Sequence, residues 1–145
     1  MAAKQGVALA WFNRLELAQD GTDGKRVGPV FDQWPERPFG ALAVWAWGLQ
    51  RCVDALLCTG RTQAGHIGVV GHSRGGKAAL LAGATDNRIG ATISHNSGTG
   101  GAASFQHIGE GSERLEVLAS RFPHWLGPHA AQAETQRRIV DTDCL

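Results

Sequence analysis

The segment "VVGHSRGGKAALLAG" (Val69–Gly83) most constrains the fold of this 145-residue chain. It joins a short apolar run to an Ala/Leu-rich helical run through a turn of Gly and small polar residues. A strand feeding a helix through so tight a turn points to a parallel sheet, because parallel strands need crossover connections. Two motifs share the turn. Gly71-His72-Ser73-Arg74-Gly75 fits G-x-S-x-G, which presents a catalytic serine. Gly71 through Lys77 fits G-x-x-x-x-G-K, which cradles nucleotide phosphates.

Neighbouring residues weigh against the nucleotide readings. A phosphate loop needs Ser or Thr directly after the Lys, because that hydroxyl holds magnesium; here the position is Ala78. The apolar run "IGATIS" ends in Ser94, then His95 and Asn96, so it offers no strand-end Asp as a second ligand. "GTGGAA" (Gly98–Ala103) matches G-x-G-x-x-A. A dinucleotide site would need a helix starting there and an acidic strand end about 20 residues on. Glu116 has that spacing but falls in a helical stretch.

The rest of the chain supports an α/β order. "GVALAWF" (Gly6–Phe12) is a continuous apolar run that predicts a buried strand. "AQDGTDGKRVGPVFDQWPERP" predicts a long loop. In "FGALAVWAWGLQRCVDALLCTG" the apolar residues Leu42, Trp45, Leu49, Val53, Leu56 and Leu57 recur at helical spacing, with Thr59-Gly60 as the stop. "HIGVV" (66–70) and "IGATIS" (89–94) predict further strands, with "GGKAALLAGA" as the helix between them. "GSERLEVLASRF" predicts a helix capped by Ser112, with Leu115, Leu118 and Ala119 inward. "AAQAETQRRIV" has helical propensity and a poor apolar face. Strand, helix, strand, helix, strand implies a parallel sheet covered on both faces, with ligands at the strands' carboxyl ends. The elbow sits at such an end.

Composition excludes little else. A net charge of +1 gives no electrostatic argument for nucleic acid or membrane binding, and no uninterrupted apolar run approaches the roughly 18 residues of a membrane span. The N-terminal stretch does not read as a signal peptide, because its short apolar run soon meets Arg14 and Glu16. Cys52, Cys58 and Cys144 lack metal-ligand spacing and read as reduced structural thiols, so no metal or cofactor is expected. The absence of Tyr removes tyrosine as an acid, base or nucleophile.

The elbow suits acyl transfer. A serine on a strained strand-to-helix turn needs small neighbours, which Gly71 and Gly75 supply. The Arg74 N–H would point into an oxyanion hole at the helix N-terminus. Gly75 and Gly76 each cost the helix up to about 1 kcal/mol relative to Ala, which suggests a constraint other than helix stability. Lys77 lies four residues after Ser73, on the same side of the helix start. With Arg74 it would suit an anionic or strongly polar substrate group.

From Gly71 to Ala103, "GHSRGGKAALLAGATDNRIGATISHNSGTGGAA" resembles the core of glucuronoyl esterases, carbohydrate esterase family 15, of the bacterial type. Their elbow, G-[CH]-S-R-x-G-K, matches Gly71–Lys77. The resemblance extends through "WAWGLQRCVDAL" and "RFPHW", and is strongest over residues 40–125. It implies a three-layer α/β-hydrolase fold with a mostly parallel sheet. The expectation for 1–145 is one partial domain of this kind, incomplete at both ends, with a divergent tail over 127–145. The implied activity is cleavage of esters of 4-O-methyl-glucuronic acid, as in lignin–xylan linkages, through a serine acyl-enzyme. An acetyl-xylan or other carboxylesterase of the same fold is an alternative; so is a catalytically incomplete, sugar-binding remnant. Ser73 would be the nucleophile and Arg74 the oxyanion donor, through backbone and guanidinium. Lys77 would bind hydroxyls of the uronate ring, and Glu110 in "FQHIGEG" would contact the same sugar.

Two departures bear on catalysis. Many fungal members carry their triad acid in a "QESG" segment, where this chain has "HNSG" with Asn96. Other relatives place the acid on a later strand followed by a late His, and "GPHAAQAETQRRIVDTDCL" offers neither. His124 with Asp141 or Asp143 is the improvised alternative.

Overall fold

The computed structural model describes residues 2–105, 107 and 109–129. The helical reading of "AAQAETQRRIV", together with Asp141, Asp143 and Cys144, lies outside these residues.

Strands β1 (Ile67–His72) and β2 (Ile89–His95) pair in parallel, with Val69 opposite Thr92 and His72 opposite His95. The elbow helix, Arg74–Thr85, makes the crossover and packs on both strands. Its buried face is Gly76, Lys77, Ala78, Ala79 and Ala82. Small residues there let the helix lie close to the sheet.

Upstream, α1 (Pro29–Gln33) is a single turn, with Pro at the start of the helix and Phe31 buried. Helix α2 (Ala41–Cys58) buries Leu42, Trp45 and Val53, part of the periodic face read from the sequence. The elbow helix is thus α3, and α2 packs against it. Two short helices follow, α4 (Leu115–Arg121) and α5 (Pro123–Leu126). By length and composition alone α2 could cross a membrane, at mean hydropathy 1.2 over 18 residues. Its apolar stripe instead faces the protein core, where Trp45 Nε1 donates to the Ala18 carbonyl at 2.9 Å. Burying side chains such as Trp45, Val53 and Leu42 contributes roughly 1.5–3 kcal/mol each. The core gathers Ala18, Phe31, Trp45, Ala78, Leu118 and Trp125 from the loop and all the longer helices.

Several expectations are corrected. Gly6–Phe12 forms no strand, and Val7, Leu9 and Trp11 are exposed. Among the described residues no neighbouring strand offers this run a ladder, and an apolar run alone does not make one. Among the described residues the sheet is covered on one face: Val70 and Ile93, paired in register, stand 64% and 61% exposed, and α2 packs on α3. The helix read from Ser112 begins later, with Arg114 at its N-cap, although Leu115, Leu118 and Ala119 are buried as read. Cys52 and Cys58 are free thiols on α2, as expected.

Candidate active site

β1 ends at His72, α3 begins at Arg74, and Ser73 stands alone between them. Its backbone has φ 54° and ψ −123°, a conformation that L-residues adopt only at a cost of about 1–3 kcal/mol. The surroundings enforce it. Ser73 N–H donates to the His95 carbonyl at 2.9 Å, extending the sheet pairing past the end of β1. The Ser73 carbonyl accepts from Gly76 N–H at 2.9 Å and Lys77 N–H at 3.2 Å, which starts the helix. The Arg74 and Gly75 N–H groups belong to the first turn, where a helix leaves its donors without intrahelical partners. An anion centred beside Ser73 would meet those donors and the positive end of the helix dipole.

The glycines divide differently from the motif. A Cβ on Gly71 would lie 2.0 Å from the Gly75 carbonyl oxygen, so only glycine fits. A Cβ on Gly76 would sit 3.0 Å from both the Gly71 oxygen and Ser97 Cβ. A Cβ on Gly75 would meet open space. The close approach that shapes the elbow is therefore made by Gly71 and Gly76, not by the Gly71–Gly75 pair of G-x-S-x-G.

Lys77 does not stand beside Ser73 as a solvated cation. It is 6% exposed, and its ammonium donates to the carbonyls of Ser97, at 2.7 Å, and Thr99. These carbonyls belong to the loop after β2. The same loop is tied from its other side: Ser94 Oγ donates to the Gly76 carbonyl, the Ser94 and Ser97 hydroxyls share a 2.7 Å bond, and Ala102 N–H donates to Ser97 Oγ. Burial pushes the Lys77 ammonium below the usual lysine value; the Glu113 charge opposes this and the Arg74 charge adds to it. An ammonium has three donors, and the two carbonyls take two of them. Glu110 lies exposed in the turn closed by Ser112 N–H on the Gly109 carbonyl. The carboxylate whose charge reaches Lys77 is Glu113, and Thr99 Oγ1 donates to the Glu113 carbonyl at 2.5 Å.

Arg74 reaches back to the long loop. Its Nη1 donates to Asp20 Oδ2 at 2.8 Å, and its guanidinium lies over the ring of Trp125, 4.9 Å from the centroid. Asp20 also accepts from Arg14, Trp125 and, at 3.3 Å, His124 Nε2. Burial works to raise the Asp20 carboxyl. Hydrogen bonds from Arg74, Trp125 and His124, with the Arg74 charge, outweigh it and hold the pKa below the usual 3.8. Sequence reasoning missed Asp20, because nothing in "AQDGTDGK" separates one carboxylate from the next.

Three histidines lie near the elbow or its supports. His124 is buried against Asp20. His72 and His95 are exposed at the paired strand ends with rings 5.0 Å apart. His66 meets Gln63 and His124 meets Asp20, so neither of these two bonds serves the Ser73 hydroxyl.

A family model described as glucuronyl esterase of fungi matches residues 1–123. The chain belongs to the glucuronoyl esterase family. It is 41% identical over 107 residues to the 4-O-methyl-glucuronoyl methylesterase of Hypocrea jecorina, covering 71% of this chain and 23% of that one. It is 33% identical over 141 residues to 4-O-methyl-glucuronoyl methylesterase 1 of Sodiomyces alcalophilus, covering 93% and 25%. Among solved structures, a family 15 glucuronoyl esterase from Caldicellulosiruptor kristjansonii superposes with a TM-score of 0.71 at 30% identity, over 89% of this chain and 38% of that one. The glucuronoyl esterase from Solibacter usitatus gives 0.55 at 41% identity, over 68% and 24%. The chain thus spans about a quarter of the length of these curated relatives. The resemblance read from the elbow and the α/β-hydrolase fold are both borne out. In this glucuronoyl esterase chain Asn96 has φ 47°, a left-handed conformation that asparagine tolerates well. It turns the chain sharply after β2 and so brings the Ser97 and Thr99 carbonyls back onto Lys77.

Proposed function

We propose that the protein provides the nucleophile-bearing core of a serine esterase acting on esters of 4-O-methyl-glucuronic acid, such as those joining glucuronoxylan to lignin. The observation that carries this reading is the strained Ser73 backbone at the mouth of α3, in a chain of this family. The names of the fungal relatives supply the substrate class.

In this reading Ser73 Oγ attacks the ester carbonyl and yields its proton to a base. The carbonyl oxygen becomes an oxyanion held by the Arg74 N–H and faced by the Arg74 guanidinium. The lignin alcohol leaves with a proton, and water then releases the uronate from Ser73. Lys77 would give its remaining N–H to a ring hydroxyl, and Glu110 would contact the same sugar from its exposed turn. No cofactor or metal enters these steps. An acetyl-xylan or other carboxylesterase would use the same nucleophile on a different acyl group.

One observation favours a second reading, a sugar-binding remnant that does not turn over: the buried His124 is committed to Asp20. A fluorophosphonate probe separates the two. Covalent labelling at Ser73, with hydrolysis of methyl glucuronate exceeding that of p-nitrophenyl acetate, supports the glucuronoyl esterase. Labelling with acetate turnover alone supports the broader carboxylesterase. No labelling of a folded chain supports the remnant.

A further inference from the structure

Asp20 offers one carboxylate to four donors on three separate segments. Oδ2 accepts from Arg14 Nη2 at 2.9 Å and Arg74 Nη1 at 2.8 Å. Oδ1 accepts from Trp125 Nε1 at 2.8 Å and His124 Nε2 at 3.3 Å. Two partners on each oxygen saturate its lone-pair directions and fix the plane of the group. The side chain is 8% exposed, so the bonds are shielded from competing water.

Arg74 is held from a second side. Its guanidinium carbon lies 4.9 Å from the Trp125 ring centroid and 5.7 Å from that of Phe122, and these two rings stack on each other. Trp125 therefore supports the guanidinium with its face and Asp20 with its indole N–H. An arginine on the first turn of a helix otherwise has many rotamers open to it. Here the Asp20 bond and the two rings select one.

The charges also sort. One carboxylate faces two guanidinium groups, so the cluster keeps net positive charge one residue from Ser73. A second carboxylate in this place would cancel the field that a developing oxyanion needs, and a neutral acceptor would leave two like charges sharing it. His124 points Nε2 at Asp20 and leaves Nδ1 buried with no hydrogen-bond partner among the described residues. With Nε2 as the donor, the ring braces the Asp20 carboxylate from the side of α5.

We infer that Asp20 is a positioning residue for the elbow: it orients the Arg74 guanidinium toward the reaction centre and pins the Phe122–Trp125 ring stack that backs it. This rests on the reading of Ser73 as nucleophile and Arg74 as oxyanion donor. A residue that only stabilised the fold would act independently of Arg74.

The test uses the full chain with Asp20→Asn, Arg74→Ala and the double variant, each checked for folding by near-UV circular dichroism. The first readout needs no activity: side-chain 15N relaxation of Arg74 Nε. Wild type is expected to show a rigid guanidinium and Asp20→Asn a mobile one; an equally rigid Arg74 in Asp20→Asn overturns the inference. The second readout is the rate of Ser73 labelling by a fluorophosphonate. Asp20→Asn is expected to slow it at least tenfold, and to slow it no further in the Arg74→Ala background. Losses that multiply in the double variant overturn the positioning role. If wild-type Ser73 does not label, the esterase reading fails and the relaxation measurement still decides the placement of Arg74. If Asp20→Asn does not fold, Asp20→Glu, which keeps the charge and shifts the carboxylate, is put through the same cycle with the same criteria.

Discussion

The backbone N–H of Ser73 donates to the carbonyl of His95 at 2.9 Å, so the candidate nucleophile is hydrogen-bonded to the end of the neighbouring strand. That bond holds φ at 54° while the carbonyl of the same residue starts α3. Strand pairing and helix initiation thus pull on the two ends of one residue, and its side chain is left standing on the turn.

The strain is open to measurement. Ser73→Gly relieves an unfavourable conformation worth about 1–3 kcal/mol, against an entropic cost of roughly 0.5–1 kcal/mol for glycine in the unfolded chain. We expect a net gain of about 1 kcal/mol in urea unfolding and complete loss of fluorophosphonate labelling. Ser73→Ala should lose labelling with little change in stability.

The two glycines of G-x-S-x-G should respond oppositely. Gly71→Ala drives a methyl to 2.0 Å from the Gly75 carbonyl and should cost at least about 2 kcal/mol, read as a lower unfolding midpoint. Gly75→Ala meets open space on a helical turn and should stabilise by about 0.5–1 kcal/mol. A similar loss at both positions would contradict the close approach seen here.

Lys77→Met removes the donor from two buried carbonyls and should destabilise by about 1–3 kcal/mol. The pH dependence has a definite sign. Burial lowers the folded pKa below the unfolded value near 10.5, so the unfolded chain binds more protons in that window. Wild-type stability relative to Lys77→Met should rise as pH rises toward 10.5. A flat difference, obtained from urea melts across that range, would place the ammonium in solvent.

Asp20 has a pH signature of the same sign, at the acid end of the scale. Its folded pKa lies below 3.8, so its stabilisation is fully present above that pH and is lost as pH falls through the folded value. Asp20→Asn should flatten the acid limb of the stability profile and lower the plateau above it.

Much of this was legible in the sequence because it is local. The periodicity of Leu42, Trp45 and Val53 marked α2, and the Gly-flanked Ser73 marked the elbow. The apolar run Gly6–Phe12 misled, because apolarity registers burial and carries no information on whether a ladder partner is present. The i, i+4 spacing sets Lys77 on the Ser73 side of the helix start, but that spacing says nothing of the carbonyls at Ser97 and Thr99 that draw it inward. Asp20 could not be read at all, since the partners that tie it to the elbow, Arg74 and Trp125, lie 54 and 105 residues away.

That separation sets an order of assembly. The strained serine is made by contiguous chain, β1 through α3 to β2, and short-range contacts of this kind form fast. The Arg74 clamp closes only when the long loop and the Pro123–Leu126 turn have both come home, and closing such long loops costs more entropy. Folding should therefore build the site from the inside outward: the serine stands on its turn before the guanidinium is clamped.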